Sequence, residues 1–374
     1  EAENKYLDDM MADTRALQET LFKEMRGRIK EEDQMVPYFK NGYFYYRRTE
    51  TGKQYYKLCR KKGSLSAPEE ILLDVDAMAE KHAYYSIAGA AVSPDNNWLI
   101  FGEDTVSRRQ YSVMVKDLTT GIITPQGIIN TSDDYVWAAD NKTIFYISNN
   151  PLTLLSEKVW RHIINEPASA DVLVYEEKSN NNYLGLHKTK ADNFILISSG
   201  NFTNSEIRYL AADKPSGNFN VFQERMDSVL YEVDADTQQF YIVNNNQALN
   251  FKVSTAPFNA TAAAHWKDYV PHRTDVLIEE IALTKDFVIV KSKKNGLDQF
   301  QLLSKDGKEN KLVPFEDAVY TASFSSNADY NATQLRYSYS SPNTPNSVYD
   351  YNLVTGQKTL LKQQEIPSGY NKDE

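Results

Sequence analysis

The sequence is poor in cysteine, in positive charge and in long apolar runs, and each shortage excludes a class of protein. Its one cysteine, Cys59, leaves no internal disulfide framework and no paired-cysteine metal site. The formal net charge of −10 argues against a protein that holds nucleic acid through its phosphates. No apolar stretch reaches the roughly 18 residues that a membrane-spanning helix needs.

Catalytic motifs are also missing. No glycine has a serine two positions later, so the G-x-S-x-G turn that carries the nucleophile of α/β-hydrolases does not occur. Glycine-rich phosphate loops are absent, and the five histidines lack the spacing of metal ligands. Cys59 lies in the strand pattern YYKLCR and is interpreted as a small strand residue, not a nucleophile. We therefore predict no catalytic residue, no metal and no organic cofactor in this chain.

A helix is predicted at the start of the chain, over residues 1–32. Apolar residues recur there at spacings of three and four with charged residues between them, as on one side of an amphipathic helix. These apolar residues are Leu7, Met10, Met11, Leu17, Leu21, Phe22, Met25 and Ile29. Because water disfavours such a stripe, we expect the helix to pack against another layer or another domain.

After residue 36 the pattern changes to the two-residue period of strands, and one unit recurs. Each unit has an apolar strand, a turn with Asp or Asn, a more apolar strand and a further hairpin, as in AAVSPDNNWLIFG (90–102). The turn aspartates of six units are Asp95, Asp140, Asp192, Asp236, Asp286 and Asp329. They are 45, 52, 44, 50 and 43 residues apart, and the NGYFYY stretch (41–46) adds a seventh unit before them.

This near-constant spacing predicts an all-β fold, a seven-bladed β-propeller with four-stranded antiparallel blades over residues 36–366. A pair of β-sandwiches would also give short alternating strands. Six similar units at similar spacing favour the propeller. No Trp-Asp dipeptide closes a unit, so the repeat is not of the WD40 type.

The stretch EDTVSRRQY (103–111) places two acids and two adjacent arginines directly after an apolar strand of the second unit. If the stretch continues as a strand, Arg108 and Arg109 point to opposite sides, and Glu103 and Asp104 are close enough to orient a guanidinium. Two interpretations stay open from these residues. Either both arginines are exposed charges on an edge strand, or one of them faces a bound group or a partner.

Five ordered motifs resemble a known family. They are SRRQY (107–111), VWRH with EPAS and VYEE (159–177), LHKT (186–189), LRYSYSSPNTP (335–345) and KQQEIPSGY (362–370). Over about residues 1–370 the chain resembles the propeller part of the oligopeptidase B (protease II) group of the prolyl oligopeptidase family of serine peptidases. The resemblance implies a propeller that covers an α/β-hydrolase domain with a Ser, Asp and His triad and admits only short peptides.

Further expectations follow from the resemblance. The hydrolase domain is absent from this sequence, and residues 367–374 are expected to begin the linker to it. Members of the group cleave after Arg or Lys, so the expected partners are that C-terminal domain and short basic peptides, with neither nucleic acid nor membrane. The arginine that matches Arg109 forms ion pairs across the domain interface, which makes Arg109 the favoured member of its pair. The chain alone is expected to be inactive.

Three other residues and two rival functions complete the predictions. Arg161 and His162 are interpreted first as structural partners and only second as ligands, whereas Arg336 is a candidate for lining the propeller tunnel.

One rival function is that of a stand-alone propeller that binds proteins or peptides. The other is a glycosidase or lactonase with acids or a metal in its tunnel, but no acid recurs at matching blade positions. The compartment is left open between the bacterial cytoplasm and periplasm.

Overall fold

Apolar strands separated by Asp, Asn and Gly turns fold into the predicted ring of blades. A computed structural model describes residues 1–367 and 369–371 of the chain. It contains seven antiparallel sheets, each of four strands in sequence order. The seven-bladed propeller predicted from the repeat is confirmed. Residues 368 and 372–374 of the predicted linker lie outside the described part.

The first four blades follow one another without exchanging strands. Blade 1 comprises β1 (Tyr38–Lys40), β2 (Tyr43–Arg48), β3 (Lys57–Lys62) and β4 (Glu69–Asp74). Blade 2 comprises β5 (Ser86–Val92), β6 (Trp98–Asp104), β7 (Ser112–Asp117) and β8 (Ile123–Pro125). Blade 3 comprises β9 (Thr131–Trp137), β10 (Thr143–Asn149), β11 (Ser156–Ile163) and β12 (Val172–Glu176). Blade 4 comprises β13 (Tyr183–Lys188), β14 (Phe194–Gly200), β15 (Ser205–Ala211) and β16 (Asn220–Gln223).

The last three blades have the same order. Blade 5 comprises β17 (Tyr231–Ala235), β18 (Gln239–Asn244), β19 (Lys252–Pro257) and β20 (Lys267–Val270). Blade 6 comprises β21 (Leu277–Leu283), β22 (Phe287–Lys294), β23 (Leu297–Ser304) and β24 (Asn310–Leu312). Blade 7 comprises β25 (Thr321–Phe324), β26 (Gln334–Ser341), β27 (Thr344–Asn352) and β28 (Lys358–Gln363). A short helix at Val75–Ala79 and 3₁₀ turns at Ala168–Ala170 and Ala263–His265 lie between strands.

The N-terminal segment is helical, but it is not the single helix that the periodicity predicted. It forms α1 (Ala2–Met10), a 3₁₀ turn (Ala12–Thr14) and α2 (Arg15–Gly27). No residue of these helices is buried. Within the described residues, the apolar stripe therefore lacks the packing expected for it. No described helix is both long enough and apolar enough to cross a membrane.

The predicted turn aspartates all lie between the first and second strands of blades 2 to 7. Asp140 illustrates how such an aspartate stabilises its turn, because its carboxylate accepts hydrogen bonds from the backbone N–H groups of Lys142 and Thr143 at 3.1 and 2.9 Å. Blade 1 turns instead at Asn41-Gly42, where φ is 46° and 83°. Positive φ at both positions is the two-residue hairpin turn that Asn-Gly favours.

The strand order sorts the loops onto two faces of the ring. Turns joining first to second and third to fourth strands share one side, which we call the turn face. Loops joining second to third strands, and the connections between blades, form the other side, the exit face. The propeller strands also begin and end on the exit face, where Lys362 Nζ lies 2.6 Å from a carboxylate oxygen of Asp33.

The apolar core lies between blades rather than at the centre of the ring. Six clusters of buried side chains each join two consecutive blades, from the pair of blades 1 and 2 to the pair of blades 6 and 7. The first strands surround the axis, since β9 contacts both β5 and β13. Side chains at the ends of these strands therefore line a central tunnel.

Candidate interdomain face and central tunnel

Asp104 organises the loop that carries the arginine pair. Its side chain is buried at the end of β6, and its carboxylate accepts hydrogen bonds from the backbone N–H groups of Val106, Arg108 and Arg109 at 2.9, 2.9 and 2.7 Å. Ser107 and Arg109 have φ values of 62° and 52°, in the left-handed region that non-glycine residues seldom adopt. The loop is thus held in one tight shape from within.

This arrangement corrects the strand interpretation of EDTVSRRQY. Arg108 and Arg109 lie in the loop between β6 and β7 on the exit face, so the alternation that would separate them does not apply, and both are exposed. The acids do not orient a guanidinium. Asp104 binds backbone N–H groups, and Glu103 accepts a hydrogen bond from the Tyr85 hydroxyl at 2.5 Å. Neither arginine forms an ion pair with a described residue, which leaves two uncompensated positive charges.

The exit face also carries exposed apolar residues at the tips of its loops. Four consecutive blades each have one that is more than 60% exposed in the loop between the second and third strands. They are Val106, Leu152, Phe202 and Leu249, with 62, 91, 91 and 88% of their surface exposed. Single exposed apolar residues are common, but four at equivalent places on the face that also carries the unpaired arginines are typical of a surface that another domain covers.

Arg161 and His162 are structural, as the first interpretation held. The buried His162 ring has Nδ1 at 2.6 Å from Asp171 and Nε2 at 3.2 Å from the side-chain oxygen of Gln126. Arg161 donates to the carbonyl oxygen of Pro215 at 3.0 Å. His162 thus contacts Asp171 within blade 3 and Gln126 of blade 2, and Arg161 joins blade 3 to blade 4.

Arg336 does not line the tunnel, and that prediction is wrong. It lies in β26, the second strand of blade 7, rather than in the inner strand. Its guanidinium binds both carboxylate oxygens of Asp350 at 2.8 and 2.9 Å and donates to the carbonyl oxygen of Pro37 at 2.6 Å. Arg336 therefore ties the last blade to the start of the first.

The tunnel wall contains charged residues that the sequence did not single out. On the side of blades 4 to 6, a cavity of about 970 Å³ is lined by His187, Glu232 and Glu280 among others. Glu232 and His187 are exposed to the tunnel, but the surrounding wall partly excludes water from them. This desolvation, reinforced by the Glu280 carboxylate, raises the pKa of Glu232, and desolvation lowers the pKa of His187. The two-residue period of a strand cannot distinguish tunnel-lining positions from positions on the outer surface, because residues of both kinds are polar and solvent-accessible.

A second cavity, of about 610 Å³, opens at the turn-face mouth of the tunnel. Lys40, Lys188 and Lys190 line it. Asp192, one of the predicted turn aspartates, lies between two of them, with Oδ1 at 3.7 Å from Lys40 Nζ and 3.8 Å from Lys188 Nζ. Since β1 and β13 belong to blades 1 and 4, these contacts reach across the tunnel. Charged side chains from opposite blades therefore narrow the mouth of the tunnel.

Cys59 is fully buried in β3, as expected of a strand residue. Burial, with a smaller contribution from the Glu69 carboxylate, raises the pKa of its thiol to about 12. A thiol with so high a pKa is a poor nucleophile at neutral pH. Among the described residues, no three His, Cys, Asp or Glu side chains are grouped closely enough to hold a metal ion.

Comparison with known proteins assigns the propeller to a family. The family model described as the prolyl oligopeptidase N-terminal β-propeller domain matches residues 1–364. This chain belongs to the prolyl oligopeptidase family. Within the family, it is 37% identical over 99% of its length to dipeptidyl aminopeptidase BI of Pseudoxanthomonas mexicana, covering 53% of that protein. The resemblance noted in the sequence is confirmed at this level.

Two further prolyl oligopeptidase family members support the same assignment. The chain is 26% identical over its whole length to protease 2 of Moraxella lacunata and covers 54% of it. It superimposes on oligopeptidase B of Leishmania major with a TM-score of 0.90 and 26% identity, over 98% of the chain and 54% of the relative. The chain thus spans about half the length of the relatives it matches.

Proposed function

We propose that this chain is the substrate-covering propeller of a serine peptidase and that its exit face docks on a C-terminal α/β-hydrolase domain. The peptidase would hydrolyse short peptides through an acyl-enzyme on the serine of that domain. The observation that carries the proposal is the exit face itself, with unpaired Arg108 and Arg109 beside four exposed apolar loop tips. Membership of the prolyl oligopeptidase family and coverage of only half of each relative support it.

Arg109 is the proposed interface residue. Its backbone is fixed by Asp104, so its guanidinium is presented from a rigid loop, and a planar guanidinium can bind both oxygens of a carboxylate. A loop tip that is preorganised loses little entropy when it docks. The carboxylate partner is proposed to lie on the C-terminal domain.

Substrate choice has two candidates. The resemblance to the oligopeptidase B group favours cleavage after Arg or Lys in short basic peptides, and the net charge of −10 would attract such peptides. The relative with 37% identity is named a dipeptidyl aminopeptidase, which favours release of dipeptides from a free amino terminus. The two candidates differ in what they require of the substrate, a basic side chain before the scissile bond or an unblocked α-amine.

The interface role is tested in the full-length protein that contains this chain. Arg109→Ala is expected to lower kcat/KM for a short peptide by roughly threefold to tenfold, because it removes a charge-assisted contact between domains. Lys308→Ala removes an equal charge from the turn face, where the side chain is 82% exposed, and should change little. Equal effects of the two substitutions would contradict the interface role.

A substrate panel separates the remaining candidates. Chromogenic peptides with Arg, Lys or Ala before the scissile bond are compared, each with a free and an acylated α-amine. A preference for Arg and Lys with acylation tolerated supports the endopeptidase, whereas a strict need for the free amine supports dipeptide release. If the full-length protein turns over none of them, or is insensitive to a serine-reactive inhibitor, the peptidase proposal fails and a binding scaffold becomes the better account.

A further inference from the structure

The turn-face mouth of the tunnel is a built cavity rather than a surface groove. Its volume is about 610 Å³, and blades 1, 2, 3, 4 and 7 all contribute to its lining. Only the axis of a ring lets five blades meet in one cavity. Apolar wall is provided by side chains such as Val92, Val136 and Trp137. A ligand at this mouth would therefore contact an enclosed apolar and charged surface.

Lys190 is the unexplained charge in this cavity. Its backbone N–H donates to Asp234 at 2.7 Å, which fixes the segment. Its ammonium, however, forms no ion pair or hydrogen bond with a described residue. Burial lowers the pKa of the Lys190 side chain and the charge of Lys40 adds to this effect, which the Asp234, Asp329 and Asp192 carboxylates only partly offset. A half-buried ammonium that forms no direct ion pair is costly, and an anionic ligand would reduce that cost.

The Asp234, Asp329 and Asp192 carboxylates act on Lys190 through space, but none of them forms an ion pair with its ammonium. Asp192 is shared at long range between Lys40 and Lys188. Asp234 accepts two backbone hydrogen bonds, from Lys190 and Ala235, both at 2.7 Å. Asp329, from blade 7, accepts the backbone N–H of Asn331 at 2.9 Å. Of the three lysines that line the cavity, Lys40 and Lys188 thus share Asp192, whereas Lys190 forms no ion pair with a described carboxylate.

We propose that Lys190, with Lys40 and Lys188, forms an anion site at the turn-face mouth of the tunnel that binds the α-carboxylate of a short peptide. The chemistry is that of a small oxyanion held by ammonium groups against apolar wall, which a free phosphate would share. The choice of a peptide rests on the proposed function, since the tunnel of a peptidase propeller is exposed to peptides. It follows that a bound peptide has its carboxyl end at the turn face and its amino end toward the exit face.

Binding is measured by calorimetry on the 374-residue chain, with no catalytic readout. The probes are trialanine with a free carboxyl terminus, trialanine amide and inorganic phosphate. The free acid is expected to bind about tenfold tighter than the amide, because hydrogen bonds to charged groups are the stronger ones. Lys190→Gln should abolish that difference, whereas Lys308→Gln, an exposed turn-face lysine outside the cavity, should keep it.

Every outcome decides the proposal. Equal affinity for the acid and the amide, or a difference that survives Lys190→Gln, overturns it. Phosphate that binds at Lys190 while the acid and amide do not differ assigns the site to phosphate and overturns the peptide carboxylate. If Lys190→Gln fails to fold by circular dichroism, Lys40→Gln gives the same test from the opposite blade. Failure of the peptidase proposal would appear as absent turnover in the full-length protein and would leave this binding difference intact.

Discussion

Six of the seven borders between blades are apolar, and the seventh, between blades 7 and 1, is polar. No cluster of buried apolar side chains joins blade 7 to blade 1 among the described residues, whereas one joins every other consecutive pair. The strand sequences explain the difference. β22 (FVIVKSKK) is buried on both sides through its first half, but β26 (QLRYSYSS) alternates apolar with polar, so one side of blade 7 presents Arg and Ser.

Polar contacts close the ring at this seventh border. Arg336 binds Asp350 within blade 7 and the carbonyl oxygen of Pro37 ahead of blade 1. Lys362 lies 2.6 Å from Asp33, and its ammonium also donates to the carbonyl oxygen of Gln34 at 2.6 Å. A cavity of about 380 Å³ remains beside Arg336 and Asp350. Such contacts are directional but bury little apolar surface, so we infer that this border contributes least to stability.

The largest effect is expected from truncating a phenylalanine to alanine at an apolar border, compared with the same substitution at the polar border. Phe300 is fully buried between blades 6 and 7, with its ring centroid 5.4 Å from that of Phe315. Phe300→Ala should therefore lower the free energy of unfolding by about 3–5 kcal/mol. Phe44 is half-buried beside the cavity of the seventh border, so Phe44→Ala should lower it by less than about 1.5 kcal/mol. Chemical denaturation measures both. Equal costs would contradict the comparison.

A second prediction concerns pH and the interior of the ring. Burial raises the pKa of Asp234, on the inner strand of blade 5, to about 6. Because its native pKa exceeds the unfolded value near 4, its stabilising contribution is complete below about pH 4 and is lost as pH rises through about 6. This loss should lower the free energy of unfolding by about 3 kcal/mol at most. Asp234→Asn should remove this pH dependence.

The check is the free energy of unfolding measured from pH 4 to 7. Asp213→Asn removes an equal charge from an exposed position of blade 4 and should leave the slope unchanged. A slope that persists in Asp234→Asn would show that another group is responsible.

Arg336 gives the next largest effect. Removing it leaves Asp350 without its partner and the Pro37 carbonyl without its donor, so Arg336→Ala should cost about 2 kcal/mol. Arg273 forms the same two-pronged contact with Asp275 at 3.0 and 2.7 Å, but in water. Arg273→Ala should therefore cost less than about 0.5 kcal/mol. Thermal and denaturant unfolding of the two variants tests whether the polar border depends on Arg336.

The smallest effect is expected at Lys362. Burial is the largest influence on Asp33 and tends to raise its pKa, but the hydrogen bonds from Lys362 and from the Gln34 backbone, together with the charges of Lys362 and Lys30, lower that pKa. The pair therefore stabilises above the ordinary Asp pKa near 4 and loses its effect as pH falls through the lowered value. Lys362→Gln should cost less than about 1 kcal/mol at neutral pH, and still less in high salt. A cost that is unchanged at pH 2, measured by denaturation, would contradict the assignment.

The sequence was most informative where local chemistry decides structure. Turn aspartates such as Asp140 revealed the repeat because an Asp side chain caps its own turn, and Asn41-Gly42 marked the first hairpin for the same local reason. The alternation of β26 was also visible and could have identified the polar border. The arginine loop was misplaced because Asp104 captures three backbone N–H groups, which ends the strand before Arg108.

The residues that line the tunnel could not be predicted from the sequence in the same way. Lys40 and Lys190 belong to blades on opposite sides of the ring, and nothing in their local sequence distinguishes them from lysines on the outer surface. Only closure of the ring brings them together. The N-terminal helices show the converse, since the predicted apolar stripe exists but no described residue buries it.

Because each blade contains its own four consecutive strands, the ring has no obligatory first blade. In principle the ends could be joined across the polar border and the chain reopened at another connection, giving a circular permutant. Any such cut would place new ends beside an apolar cluster, such as the one formed by Phe145 and Ile197 between blades 3 and 4. The existing order of blades is therefore the one in which the ends of the propeller disturb the least buried apolar surface.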